Sequence, residues 1–166
     1  MGLNNQEKRL MTKPIPDGFH TLTAHLVVQD AAKAIEFYQR AFGAQEVTRH
    51  LTPDGKNVMH AQLKIGDSML MLAGEWPPMC LSPKSRGGTS TTLHLFVENA
   101  DAAFDRAVKA GYTVKMPLMD QFWGDRYGQV EDPCGHLWSI ATHKQDLSAE
   151  QIAANAKAAF AKMSCS

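Results

Sequence analysis

The 166 residues carry 17 Lys plus Arg against 17 Asp plus Glu, a formal net charge of zero. With no long run of like charge, the chain lacks the electrostatic footprint of a nucleic-acid or membrane partner, and a neutral or modestly polar small molecule is the expected ligand. A chain of this length buries a core without staples, as one domain or two small fused halves.

Cys80, Cys134 and Cys165 are odd in number and have no C-x-x-C spacing. That argues against a disulfide framework and a zinc knuckle, and for reduced thiols in a cytoplasmic protein. No apolar stretch approaches the ~18 residues of a membrane span. The start "MGLNNQEKRL" has neither a secretory apolar segment nor the Ser or Thr of a myristoylation signal. A cytoplasmic location is the expectation.

Residues 1–18 are polar and end in "KPIPDG", which suits a flexible arm; Met11 offers an alternative start. From Leu22 the pattern alternates, with Leu22, Ala24, Leu26 and Val28 on one face of a strand and Thr21, Thr23, His25 and Val27 on the other. Asp30 caps a helix whose apolar residues Ala31, Ala34, Ile35, Tyr38 and Phe42 recur at helical spacing, and Gly43 ends it. Strands are predicted over 44–51, 57–65 and 68–73, with hairpin signals "PDG" at 53–55 and "GD" at 66–67.

The order then repeats. "TAHLVVQDAAKAIEFY" from Thr23 is echoed by "TLHLFVENADAAFDRA" from Thr92. Thr91, Leu93, Leu95 and Val97 form one face of a strand, Asn99 opens a helix running through Phe104 and Val108 to Gly111, and strands follow near Thr113, at 127–130 and at 136–142. "EDPCG" at 131–135 is the counterpart of "KIGD". Two βαβββ repeats are expected, because stacking them hides sheet area that neither buries alone. Residues 76–88, rich in Pro and Gly, join halves at about 19–75 and 89–143. Residues 144–166 form a C-terminal helix and tail, opened by a capping box of Ser148 and Gln151 and packed on the body or on a second subunit.

With that pattern, "DAAKAIEFYQRAFGA" and "FWGDRYGQVEDPCGHLWSIATH" make residues 20–143 resemble the vicinal oxygen chelate superfamily of glyoxalase I, bleomycin-resistance proteins and dioxygenases, in its PhnB-like branch. The resemblance implies an α+β fold: a curved, cup-shaped, eight-stranded mixed sheet with helices on its outer face. It also implies two metal ligands from each half. One stands seven residues before the helix-opening acid, at Thr23 and, in the second copy, Thr92; the other stands on the last strand, at Met71 and Ser139. Thr, Met and Ser are poor ligands for zinc, nickel or iron. No metal or other cofactor is therefore expected, and with it goes the glutamate of glyoxalase-like isomerisation.

His25 and His94 lie two residues beyond the vacant positions, on the same concave face. They are the candidate acid and base residues, or hydrogen-bonded wall residues. A matching slip on the last strands reaches Ala73 and Ala141, which bind nothing; Glu75 and His143, two residues further, would need curled strand ends to complete a displaced metal site. His20, His50, His60 and His136 are read as structural or exposed. Met69 and Met71, with Leu137 and Ser139, give soft inner walls or a closed core; Phe96, Trp76, Trp123 and Tyr127 add aromatic faces near the mouth. Asp125 and Arg126 pair with one another or with a ligand. "SRGGTS" at 85–90 lacks the lysine and spacing of a P-loop and only joins the halves.

Three functions are consistent with this pattern. The first is metal-independent binding of a small hydrophobic or aromatic molecule, with Thr23, His25, Met69, Met71, Thr92, His94, Phe96, Trp123, Tyr127 and Ser139 as ligand-binding residues. The second is a lyase, isomerase or dioxygenase with a displaced metal or histidine acid/base chemistry. The third is a structural or regulatory dimer with a vestigial cavity. The resemblance also implies a homodimer that builds its cups across the subunit interface.

Overall fold

Asp30 and Asn99, at the same place in the two repeats, each cap a helix. The side chain of Asp30 accepts from Lys33 N at 3.1 Å, and that of Asn99 from Ala102 N at 2.9 Å, satisfying donors that a helix start leaves free. In a computed structural model describing residues 13–163, these caps follow β1 (Ala24–Val28) and β5 (Thr92–Phe96) and open α1 (Ala31–Phe42) and α3 (Ala100–Lys109). The first half continues with β2 (Gln45–Leu51), β3 (Val58–Ile65) and β4 (Ser68–Gly74). The second continues with β6 (Thr113–Asp120), β7 (Asp125–Glu131) and β8 (Leu137–His143). Residues 1–12 of the expected arm, and Cys165, lie outside the described residues.

The eight strands are shared between two four-stranded mixed sheets, in the orders β1-β4-β3-β2 and β5-β8-β7-β6. Each first strand runs parallel to the last of its half, and the other pairings are antiparallel. The two βαβββ units are thus present as the repeated pattern implies. Gly43 ends α1 in the left-handed conformation, whereas α3 stops one residue before Ala110, ahead of the Gly111 expected to end it.

β6 is longer than the pattern "near Thr113" suggests and carries Pro117. It is an edge strand, and its pairing with β7 slips between Val114 and Met116 and again between Met116 and Met119. A proline, which cannot donate to the ladder, is tolerated there.

One side of each sheet is core. Leu26, Val28, Leu63, Leu70 and Leu72 meet Ala34, Ile35 and Tyr38 of α1, while Val130, Trp138 and Ile140 meet Ala103, Phe104 and Ala107 of α3; all belong to one cluster spanning both halves. Helix α1 packs on α3, and Trp138 lies 4.8 Å from Phe42 and 5.4 Å from Tyr38, ring centre to ring centre. Asp132, from the "EDPCG" turn, is 4 % exposed at this seam. Its carboxyl accepts from Tyr38 OH (2.8 Å), Trp138 Nε1 (3.1 Å) and the backbone N–H groups of Cys134 (2.8 Å) and His136 (2.9 Å). Burial, reinforced by Asp132, pushes the Tyr38 phenol far above its ordinary pKa, so it remains a donor.

The connection is ordered by its own contacts. Glu75 Oε1 accepts from Ser82 N at 2.7 Å, and Ser82 caps the single-turn helix α2 (Pro83–Arg86). After β8, Ser148 and Gln151 form the expected capping box at the start of α4 (Ala149–Met163). Helix α4 rests on the loop before β7, where Asn155 Nδ2 donates to Phe122 O at 3.2 Å and Phe160 lies 6.0 Å from the Phe122 ring.

Candidate functional site

Strand alternation leaves one face of each sheet without a helical cover. In the first half, His25, Met71, Gln62 and Thr48 stand side by side across four strands, and His60 stands opposite His50. The His60 ring lies 5.5 Å from that of His25 and 6.3 Å from that of His50. His50 is exposed and His60 half-buried, consistent with structural or exposed roles, but their place beside His25 was not foreseen. Both share the face of His25, because β2 and β3 pair at that register, a fact that no single strand's periodicity contains.

In the second half the corresponding row is His94, Ser139, Gln129 and Met116, with Phe96, Ala141, Tyr127 and Met119 beside it. His94 Nδ1 is 3.1 Å from Ser139 Oγ. Its ring lies 4.4 Å from Phe96 and stacks on Tyr127 at 5.8 Å, and Trp123 meets Tyr127 edge-on at 5.5 Å. Four rings therefore line one open wall, and Phe96 is 63 % exposed on it. Trp76 is not brought to this wall; it forms an isolated bridge with Cys80 in the connection.

Asp125 and Arg126 do not pair, since neighbours in a strand point to opposite faces. Arg126 bonds Asp101 of α3 and Asp120. Asp125, buried on the open-face side, accepts from Trp123 Nε1 at 2.9 Å and meets His143 Nδ1 at 2.7 Å. His143 Nε2 reaches Asp146 at 3.0 Å. This Asp125–His143 pair escaped sequence reasoning as a unit, although the antiparallel pairing of β7 with β8 sets it directly.

The two carboxyls, Asp125 foremost, hold the His143 imidazole above its usual pKa of 6.5, whereas partial burial, then the neighbours His25 and His50, holds His60 below it. The signs are opposite. His143 contributes stability that is present below pH 6.5 and lost as pH rises through its higher folded value; His60 costs stability as pH falls below 6.5. An imidazole NMR titration is expected to find His143 titrating above His60, and Asp125→Asn should lower the His143 midpoint. Equal midpoints for the two rings would contradict this geometry.

The four positions that the fold associates with metal do not fit one. Thr23 Oγ1 donates to His20 O in its own turn, Ser139 Oγ is engaged with His94, Thr92 is an exposed strand start, and Met71 offers only a thioether. Glu75 is committed to Ser82, so it does not complete a displaced set with His143. Among the described residues no group of three or more His, Cys, Asp or Glu is placed to hold a metal ion. Met69 and Met71 are half-buried on the first open face, and Leu137 is half-buried on the second.

Paired βαβββ units, each with one helix-covered and one open face, define the class of glyoxalase-like cup proteins. The sequence profile of the Glyoxalase/Bleomycin resistance protein/Dioxygenase superfamily matches residues 19–140, and the chain belongs to that superfamily. The protein Rv0887c of Mycobacterium tuberculosis is 48 % identical over 137 residues, covering 80 % of each chain. Among solved structures, TioX from Micromonospora sp. ML1 superposes with a TM-score of 0.58 at 27 % identity, covering 78 % of this chain and all of that one. A PhnB protein from Bacillus cereus shares the fold, with a TM-score of 0.57 at 18 % identity over 74 % of this chain and 99 % of its own. No helix among the described residues is long and apolar enough to cross a membrane.

Proposed function

We propose that this protein binds a small hydrophobic or aromatic molecule without a metal, holding it against the wall formed by Phe96, His94, Tyr127 and Trp123. The observation that carries this reading is the ring wall itself, with Phe96 presented to solvent on a sheet face no helix covers. Aromatic walls with a few placed polar groups are the common composition of small-molecule sites. His94, Ser139 and Gln129 supply those groups, and Met69 and Met71 on the other open face supply adaptable apolar surface. A second copy of the chain is the proposed cover for the open faces, which also expose Met119.

Differential scanning fluorimetry with a panel of flat aromatic compounds tests the proposal. A bound compound raises the melting temperature, and more so as its concentration exceeds its Kd, and Tyr127→Ala or Phe96→Ala is expected to weaken binding about tenfold, roughly 1.4 kcal/mol. A panel without a single shift would favour a vestigial cavity.

A second reading rests on the Asp125–His143 pair, a carboxyl orienting an imidazole beside the aromatic wall, an arrangement suited to general acid/base chemistry. That enzyme reading expects substrate turnover that survives chelators and is lost in His143→Gln.

A further inference from the structure

A cleft of about 330 Å³ lies away from the ring wall, between β1 and the chain segment that carries α2 into β5. This is within the usual range for small-molecule sites, about 300–1,000 Å³. Its lining combines apolar Leu26, Val27, Leu81, Pro83 and Leu93 with Arg86, Thr89, Ser90 and Thr91, and includes His25 and His136. Apart from His25, none of the ligand residues proposed above lines it.

The polar part of the lining is arranged for an anion. Among the described residues the Arg86 guanidinium has no ion-pair or side-chain hydrogen-bond partner, and no Asp or Glu lines the cleft. After Arg86, two glycines with positive φ turn the chain back on itself: Gly87 at 81° and Gly88 at 150°. The bonds within this turn run from Gly88 N to Pro83 O and from Thr91 N to Thr89 Oγ1, so among the described residues the N–H groups of Thr89 and Ser90 and the Ser90 hydroxyl have no hydrogen-bond partner. Successive free amides beside an arginine match the oxygens of a carboxylate or phosphate, which accept several charge-assisted bonds at once. His136 Nε2 donates to Val27 O at 3.0 Å and so closes off part of the open edge of β1. The cleft is too small for a dinucleotide and holds one cation, which limits the ligand to a single anionic group.

We infer that this cleft is a second binding site, taking a small molecule with one carboxylate or phosphate group on an apolar body. The anion sits at Arg86, Thr89 and Ser90, and the apolar body lies against Leu81, Pro83 and Leu93. The stretch "SRGGTS" then has a role beyond joining the halves.

The test is a backbone amide NMR titration of the full chain with phenyl phosphate and phenylacetate, with benzyl alcohol as the neutral comparator. Saturable shifts at Gly88, Thr89, Ser90, Thr91 and Leu93 with both anions, and at least tenfold weaker binding of the alcohol, are expected. Arg86→Ala should weaken phenyl phosphate at least tenfold and Arg86→Lys less. Ser90→Asp, which adds a like charge beside the anion, should abolish binding, while Phe96→Ala leaves it unchanged. All three substituted side chains, Arg86, Ser90 and Phe96, lie in exposed positions, and a native-like amide spectrum checks the fold of each variant. Equal binding by benzyl alcohol, shifts centred on Phe96 and Tyr127, unaltered affinity in Arg86→Ala, or no saturable shift with either anion would overturn the inference. A fluorimetry panel in which no compound binds in a Phe96-dependent way would overturn the ring-wall proposal and leave this one standing.

Discussion

Asp132→Ala is expected to be the most damaging single substitution, lowering stability by about 3–5 kcal/mol, because it strands several buried donors at the seam between the halves. Tyr38 OH comes from α1 of the first half, whereas Trp138 Nε1 and the amides of Cys134 and His136 come from the second. The carboxyl therefore joins the repeats as well as folding its own turn. Urea unfolding is the measurement, read as a fall in midpoint at unchanged slope. Tyr38→Phe removes only one donor and should cost less, about 1–2 kcal/mol, since it leaves Asp132 with its three other partners. A loss below that of Tyr38→Phe in the Asp132→Ala variant would show that the seam is held by ring packing alone.

Gly124→Ala is expected to cost about 2–3 kcal/mol through backbone strain and overpacking together. Gly124 has φ of 102°, and a Cβ there would stand 2.5 Å from Gln145 O. That neighbour cannot withdraw cheaply, because Lys144 N and Gln145 N both donate to Gly124 O and fix the two segments together. The strain falls between Trp123 and Asp125, so the indole should lose its bond to Asp125 and the ring wall its end. Altered tryptophan fluorescence accompanying the lower urea midpoint is the expected result. An unchanged midpoint would mean that the 144–145 segment yields freely.

The repeat was legible because its local signals agree. Asp30 and Asn99 cap, Gly43 stops, and Leu26, Val28, Leu70 and Leu72 alternate toward the core as period-two residues must. The poor donor set at Thr23, Met71, Thr92 and Ser139 was likewise legible, since it depends on residue type more than on placement. What periodicity missed were partnerships across strands. The partners of His60 could not be placed from sequence, and it lies between His25 and His50. Asp125 was read as pairing with Arg126 or with a ligand, whereas Arg126 faces the other way and Asp125 meets His143. β6 was placed only near Thr113, and its run through Pro117 to Asp120 was not foreseen.

Alternation and capping are properties of a few consecutive residues, so the order of elements, the two halves and the face on which each side chain stands follow from the chain read in line. Register and docking are decided by residues far apart in sequence. Only the packing of α1 on α3 brings Tyr38 to Asp132, only the β7–β8 pairing joins Asp125 to His143, and only the fold of the connection against β1 sets Arg86 beside free amides. Each of these depends on bringing distant segments together around a shared apolar core, a free-energy gain that no local segment contains.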